Sequence, residues 1–227
     1  MSLDRIVCLA NSYKHDHRCV AGIRLTTKKW IRLVGTTIPG CLTVKETSYP
    51  DGKQVALLDV IEAELGEPCG SNSHPEDVYV TGKPWQRLRD FDAPADAEIL
   101  RDFIDKEPVV LGGYSDRVSA HRLEKKPLQS SLGLIHPEYL WWWVREGGGK
   151  RRNRAVFRLG KEGRVRFDLA VTDPKWLEQL NFMPAGIYPH SFIAGLKKSN
   201  PLLTVSMSEP FEGFHYKLVA AVLPVPS

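Results

Sequence analysis

Residues 139–169 read YLWWWVREGGGKRRNRAVFRLGKEGRVRFDL, and the way this stretch divides decides the fold. Side chains of a β-strand alternate between two faces. Split at its glycines, the stretch gives three runs that follow that rule. Leu140, Trp142 and Val144 make a wholly apolar face opposite Tyr139, Trp141, Trp143 and Arg145. Ala155, Phe157 and Leu159 oppose Arg154, Val156 and Arg158, while Val165, Phe167, Leu169 and Val171 oppose Arg164, Arg166 and Asp168. Only one face of each run asks for a core. As neighbours in one small barrel, such strands turn aromatic planes and arginines outward. That is the composition of a platform on which single-stranded bases stack while guanidinium groups meet phosphates. Trp142 is assigned to the core by alternation. For Trp141 and Trp143 burial against the other barrel or under a loop is an equal alternative, since aromatic residues anchor interfaces of every kind.

Charge is concentrated in the same place. Between Arg145 and Arg166 there are nine basic residues (Arg145, Lys150, Arg151, Arg152, Arg154, Arg158, Lys161, Arg164, Arg166) against Glu146 and Glu162, a local charge of +7. The whole chain of 227 residues carries only +4, so the remainder is slightly acidic. Uniform basicity is therefore absent, and a polarised surface is expected. The Gly-rich tip EGGGKRRNR, set beside aromatics, is either a solvated turn or a phosphate-gripping loop.

Short strand-like runs bounded by Gly, Pro, Asn or Lys fill the rest: DRIVCLANS, RCVAGIRL, KWIRLVG and VALLDVIEAEL before the central stretch, LLTVSMSEP and YKLVAAVLP after it. In RCVAGIRL, Cys19, Ala21, Ile23 and Leu25 face one way and Arg18, Val20, Gly22 and Arg24 the other; in KWIRLV, Trp30 and Arg32 lie opposite Ile31 and Leu33. Trp30 and Arg32 thus read as a second, smaller stacking and phosphate pair. Two segments read as helices. DAPADAEILRDFIDKE places Ile99, Leu100, Phe103 and Ile104 on one face, with Pro94 near the first turn. TDPKWLEQL offers Asp173 as N-cap and Pro174 at the first helical position, where the missing N–H costs nothing. A weak echo links RCVAGIRLTTKKWIRLVG with RAVFRLGKEGRVRFDLAV, each a strand, a short Lys-containing turn and a strand.

The phrases NSYKHDHRCVAGIRL…KWIRLVG, AVTDPKW and SMSEPFEGFHYKLVAAVL resemble the bacterial dual-OB-containing domain family, modules of two oligonucleotide-binding-type barrels in tandem. The resemblance spans nearly the whole chain. It implies a mainly β protein of two five-stranded barrels with a few short helices, and a role in recognising nucleic acid. The family brings no catalytic residues with it. The expected division is a first barrel over residues 1–112 with a helix near 94–106, a polar linker over 113–132, and a second barrel over 133–227.

Other chemistry is weakly signalled. His15, His17 and Cys19 recur at every second position, but the spacing departs from the usual zinc patterns. No P-loop, G-x-G-x-x-G, H-E-x-x-H or G-x-S-x-G occurs. The acids Asp168, Asp173, Asp90 and Asp92 would have to cluster for a metal-dependent nuclease, and Asp173 is better used as a cap. Cys8, Cys19, Cys41 and Cys69 form no C-x-x-C pair, which favours reduced thiols. MSLDRIVCLANS, with Asp4 and a short apolar run, resembles neither a signal peptide nor a spanning helix, so a cytoplasmic location is expected. The expectation is a non-catalytic module for single-stranded DNA or RNA, without cofactor, metal or membrane partner. Its nucleic-acid-binding residues would be Tyr139, Trp141, Trp143, Arg145, Lys150, Arg151, Arg152, Arg154, Arg158, Arg164 and Arg166, joined by Trp30 and Arg32. The alternative is a protein-interaction module anchored by the same aromatics.

Overall fold

The computed structural model describes residues 2–14, 17–36, 40–89, 100–106, 108–193, 196 and 201–224. The chain divides into two compact units, Met1–Asp92 with Leu128–Ser131, and Ala93–Pro127 with Leu132–Ser227. Among the described residues no helix is long and apolar enough to cross a membrane.

The first unit is built from β1 (Ser2–Lys14), β2 (His17–Arg24), β3 (Lys29–Val34), β4 (Val60–Pro68), β5 (Asp77–Val80) and β6 (Gln86–Arg89). Pairing runs β1-β2-β3-β5-β4 and returns to β1, which closes a five-stranded barrel; β6 adds to β4. Every ladder is antiparallel except β3–β5. The long β1 serves two neighbours, pairing β4 through Ser2–Val7 and β2 through Ile6–Lys14. It bends where Leu9 is inserted between Cys8 and Ala10, a bulge of the kind that curves a sheet into closure. Gly22 sits beside that bend. A Cβ there would lie 1.9 Å from the Val7 carbonyl oxygen, so only glycine permits the approach.

The faces of β2 and β3 differ from the expectation. The register sets Val20 opposite Leu33 and Gly22 opposite Ile31, so Val20 joins Ile31 and Leu33 in the barrel core. Ala21 stands opposite Arg32 and Ile23 opposite Trp30, and Ala21 and Ile23 are fully buried as well. Both faces of this hairpin are covered. Alternation loses its power where neither face meets water.

In the second unit lie β7 (Arg117–Ser119), α1 (Ala120–Lys125), β8 (Leu132–Ile135), β9 (Tyr139–Gly147), β10 (Lys150–Leu159), β11 (Val165–Val171), α2 (Pro174–Asn181), β12 (Gly186–Pro189), β13 (Leu202–Phe211) and β14 (Phe214–Leu223). The order is β12-β9-β10-β11-β14-β13-β8, with β7 on β14. This repeats the first plan, with β9, β10, β11, β13 and β14 standing where β1, β2, β3, β4 and β5 stand. The parallel pair is again third with fifth, β11–β14. The sequence echo falls on β2–β3 and β10–β11, which are equivalent hairpins. The first strand, continuous in the first unit, is here broken in two: β8 pairs β13 and β9 pairs β10. Between them lies His136-Pro137-Glu138, where proline lacks the N–H a ladder needs and restricts the residue before it. No ladder joins β8 to β9, so in the second sheet the two pieces of the first strand are linked only by this stretch of chain, and β7 and β12 are additional strands. The segment 113–132, read as a linker, carries β7 and α1.

Helix α2 forms as its sequence indicates. Asp173 Oδ1 accepts from the Lys175 and Trp176 amides, and Pro174 occupies the first turn. Its apolar side buries Trp176 and Leu180. The other predicted helix is described over residues 100–106: 100–103 are helical, but Ile104 has left the helix and forms a parallel bridge with Leu134, while Ile99 and Pro94 lie outside the described residues.

Lys217, in β14, is buried, and its Nζ donates to the Gly113 and Ser115 carbonyls at 2.9 and 2.7 Å. Burial pushes its amine down to about 8, against a partial pull upward from Asp116 and with further lowering by Arg122. The unfolded chain holds the proton up to about pH 10.5, so between pH 8 and 10.5 it binds more protons than the folded state and stability rises with pH. The native protein, compared with Lys217→Met by urea midpoint, is expected to gain up to a few kcal/mol across that window. A difference that stays flat or falls would contradict a charged amine buried at neutral pH.

Candidate nucleic-acid interface

On β9 the burial alternates as the sequence dictates. Leu140, Trp142 and Val144 are buried, Tyr139 is half exposed, and Trp141, Trp143 and Arg145 are partly exposed. Trp142 stacks on Trp176 of α2, with centroids 5.6 Å apart, and its ring belongs to the core. The outward face is assembled by register. Arg158 lies opposite Tyr139, Val156 opposite Trp141, Arg154 opposite Trp143 and Arg152 opposite Arg145. On the far side of β10, Arg166 lies opposite Arg158 and Asp168 opposite Val156. On the other side of β9, β12 brings Ile187 opposite Trp143 and Pro189 opposite Trp141.

Along β9 the outward side chains form a row. Tyr139 stacks on Trp141 with centroids 5.9 Å apart and planes 12° from parallel. Gly163, at φ +61°, lies so close behind Tyr139 that an added Cβ would meet its ring at 3.1 Å. At the other end the Arg145 guanidinium lies 3.2 Å from the centroid of Trp143, a cation–π contact. Asp168 holds the arginines at this end, accepting from Arg154 Nε at 2.7 Å and standing 3.6 Å from Arg145. A shallow groove of about 220 Å³ opens on the face, lined by Trp141, Trp143, Val156, Arg158, Arg166 and Ile187.

The predicted basic residues separate into those free to meet an anion and those already engaged. Arg158 and Arg166 are exposed at the groove, and neither forms an ion pair with a described carboxylate; Arg158 only reaches the Gly163 carbonyl at 3.4 Å. Lys150 and Arg152 are exposed on the β9–β10 hairpin. Arg154 is partly neutralised by Asp168, and Arg164, in the turn before β11, by Glu162 at 3.2 Å.

Arg151 and Arg32 are corrections. The strand extends back to Lys150, so the alternation that turns Arg152 and Arg154 outward turns Arg151 inward. There Arg151 pairs with Glu146 and donates to the Leu180 and Met183 carbonyls, closing the C-terminal end of α2. Arg32 is 4% exposed and makes a two-pronged bond to Asp77, both contacts 2.6 Å. Burial opposes its charge, but Asp77, with Cys19 and Glu76, more than offsets this and holds the guanidinium above its ordinary value. It is therefore not available to phosphate. Its neighbour Trp30 is half-buried at the start of β3, opposite Ile23 of β2.

Sequence reading missed Val156 as groove floor and Ile187 as groove rim. The first was legible in the alternation of β10; the second sits on a four-residue strand too short to announce itself. The first unit has a larger groove, about 850 Å³ between segments 44–52 and 80–85, where Lys45 adjoins Glu46 and Lys83 pairs with Glu64. It presents charges of both signs, and none of the predicted residues. Among the described residues no three His, Cys, Asp or Glu side chains group to hold a metal; His15, Asp90 and Asp92 lie outside those residues.

A family model described as a dual OB-containing domain matches residues 4–222. No curated protein matches the chain.

Proposed function

We start from the fact that this chain belongs to the dual OB-containing domain family, a binding module by its architecture, and propose that it binds single-stranded nucleic acid without catalysis. The supporting observation is the groove on the second unit, where two partly exposed indoles share a 220 Å³ depression with the guanidinium groups of Arg158 and Arg166, neither of which forms an ion pair with a described carboxylate. Bases supply the flat apolar faces and phosphates the negative charge that such a surface lacks. Arg152 and Lys150 extend the basic track along the same hairpin.

Fluorescence anisotropy with labelled single- and double-stranded oligonucleotides at two salt concentrations tests this reading. Three or four phosphate contacts should give a log–log salt slope of roughly −2 to −3 for a single strand. Replacing both Trp141 and Trp143 by alanine should weaken binding by about 1–3 kcal/mol for each stacked base lost. Full affinity in that double variant would detach binding from this face. Ile187, exposed beside Trp143, favours a second reading in which the aromatics anchor a partner protein. Such an apolar contact should be nearly indifferent to salt, and failure of every oligonucleotide at low salt would favour it.

A further inference from the structure

We infer that the groove takes one nucleobase, held between the rings of Trp141 and Trp143; this deepens the nucleic-acid reading above and rests on it. Side chains two residues apart on an antiparallel strand stand about 6.8 Å apart. A flat ring in contact with a second flat ring on each side requires about 7 Å, twice a carbon contact distance of roughly 3.5 Å. The outward row on β9 therefore has the natural spacing for alternate layers of protein and guest.

Most of those layers are already filled. Tyr139 stacks directly on Trp141 and is backed by Gly163, and Arg145 lies on Trp143 with Asp168 beside it. Each indole thus has one face taken by its own strand neighbour, Trp141 from the Tyr139 side and Trp143 from the Arg145 side. The faces that remain belong to the interval between residues 141 and 143, and both indoles line the groove while Tyr139 and Arg145 do not. Its volume of about 220 Å³ is below the ~300–1,000 Å³ of cavities for drug-sized ligands, as suits a single ring system.

The occupant is argued from charge as well as shape. Val156 and Ile187 offer no hydrogen bond to the edge of a base, so ring identity is weakly read. Arg158 and Arg166, cross-strand neighbours at the same groove, give a doubly cationic wall for the adjoining phosphate. A paired base could not enter without leaving its partner, so a duplex is excluded from this layer.

The experiment uses the full chain and fluorescein-labelled hexanucleotide backbones that are abasic throughout, or carry one thymine, or two adjacent thymines. The first thymine should tighten binding roughly 5- to 150-fold over the abasic chain, the range of one base stack, and the second by less than two-fold. Trp143→Ala should remove the first increment, so that the one-thymine and abasic chains bind this variant alike. Equal increments from the two thymines would overturn the single-base site while leaving nucleic-acid binding intact. Failure of an all-thymine hexamer to bind at low salt would overturn both.

Discussion

Replacing Asp77 with alanine is expected to destabilise the first unit by about 3–5 kcal/mol, because it strands the Arg32 guanidinium in the barrel wall without a counter-charge. Arg32 and Asp77 are neighbours across the parallel β3–β5 ladder, and both are nearly inaccessible. Removing the pair together, as in Arg32→Met with Asp77→Leu, should recover most of that loss, since two apolar side chains need no partner. Urea midpoints for the single and double variants measure the difference. A single variant as stable as the native protein would mean that water reaches Arg32 and that the pair is not buried in solution.

Trp142→Ala should cost the second unit about 3–5 kcal/mol, the range for emptying a core site of that size. The indole is fully buried against Trp176, so its loss also removes the surface on which α2 rests. Trp141 and Trp143 flank it in sequence, and under the proposed function their contribution is to binding. The expected pattern is therefore a thermal midpoint that drops for the central tryptophan and an oligonucleotide affinity that drops for the outer two. An unfolding curve for Trp142→Ala that overlays the native one would place the alternation of β9 in error.

What was legible in the sequence follows the distribution of water. In residues 139–145 of β9, 154–159 of β10 and 165–171 of β11 one face is wholly apolar and the other carries the charged side chains, and the assignment of Trp142, Phe157 and Phe167 to the core needs nothing beyond counting by two. In β2 and β3 both faces are covered, and the charge on Arg32 reads as exposure because its partner lies 45 residues away. Arg151 had a local signal. Counting back from Arg154 turns it inward, but the glycines before it made the whole hairpin look like loop. Strands of three or four residues, β5 to β8 and β12, carry too few alternations to stand out from turns, and they exist because a longer neighbour supplies the hydrogen bonds.

The cap of α2 carries an implication for how the chain comes to be made. Asp173 shares its carboxylate between the first turn of the helix and the Val222 amide, while the Trp176 indole donates to the Val222 carbonyl. During vectorial synthesis these partners emerge nearly fifty residues after the helix they serve, on the strand that also lies parallel to β11. A nascent chain stalled before that point holds the helix with Asp173 Oδ2 and the Trp176 indole N–H still lacking their Val222 partners. The second half must wait for its last strand, and truncation there should leave a product that chaperones retain.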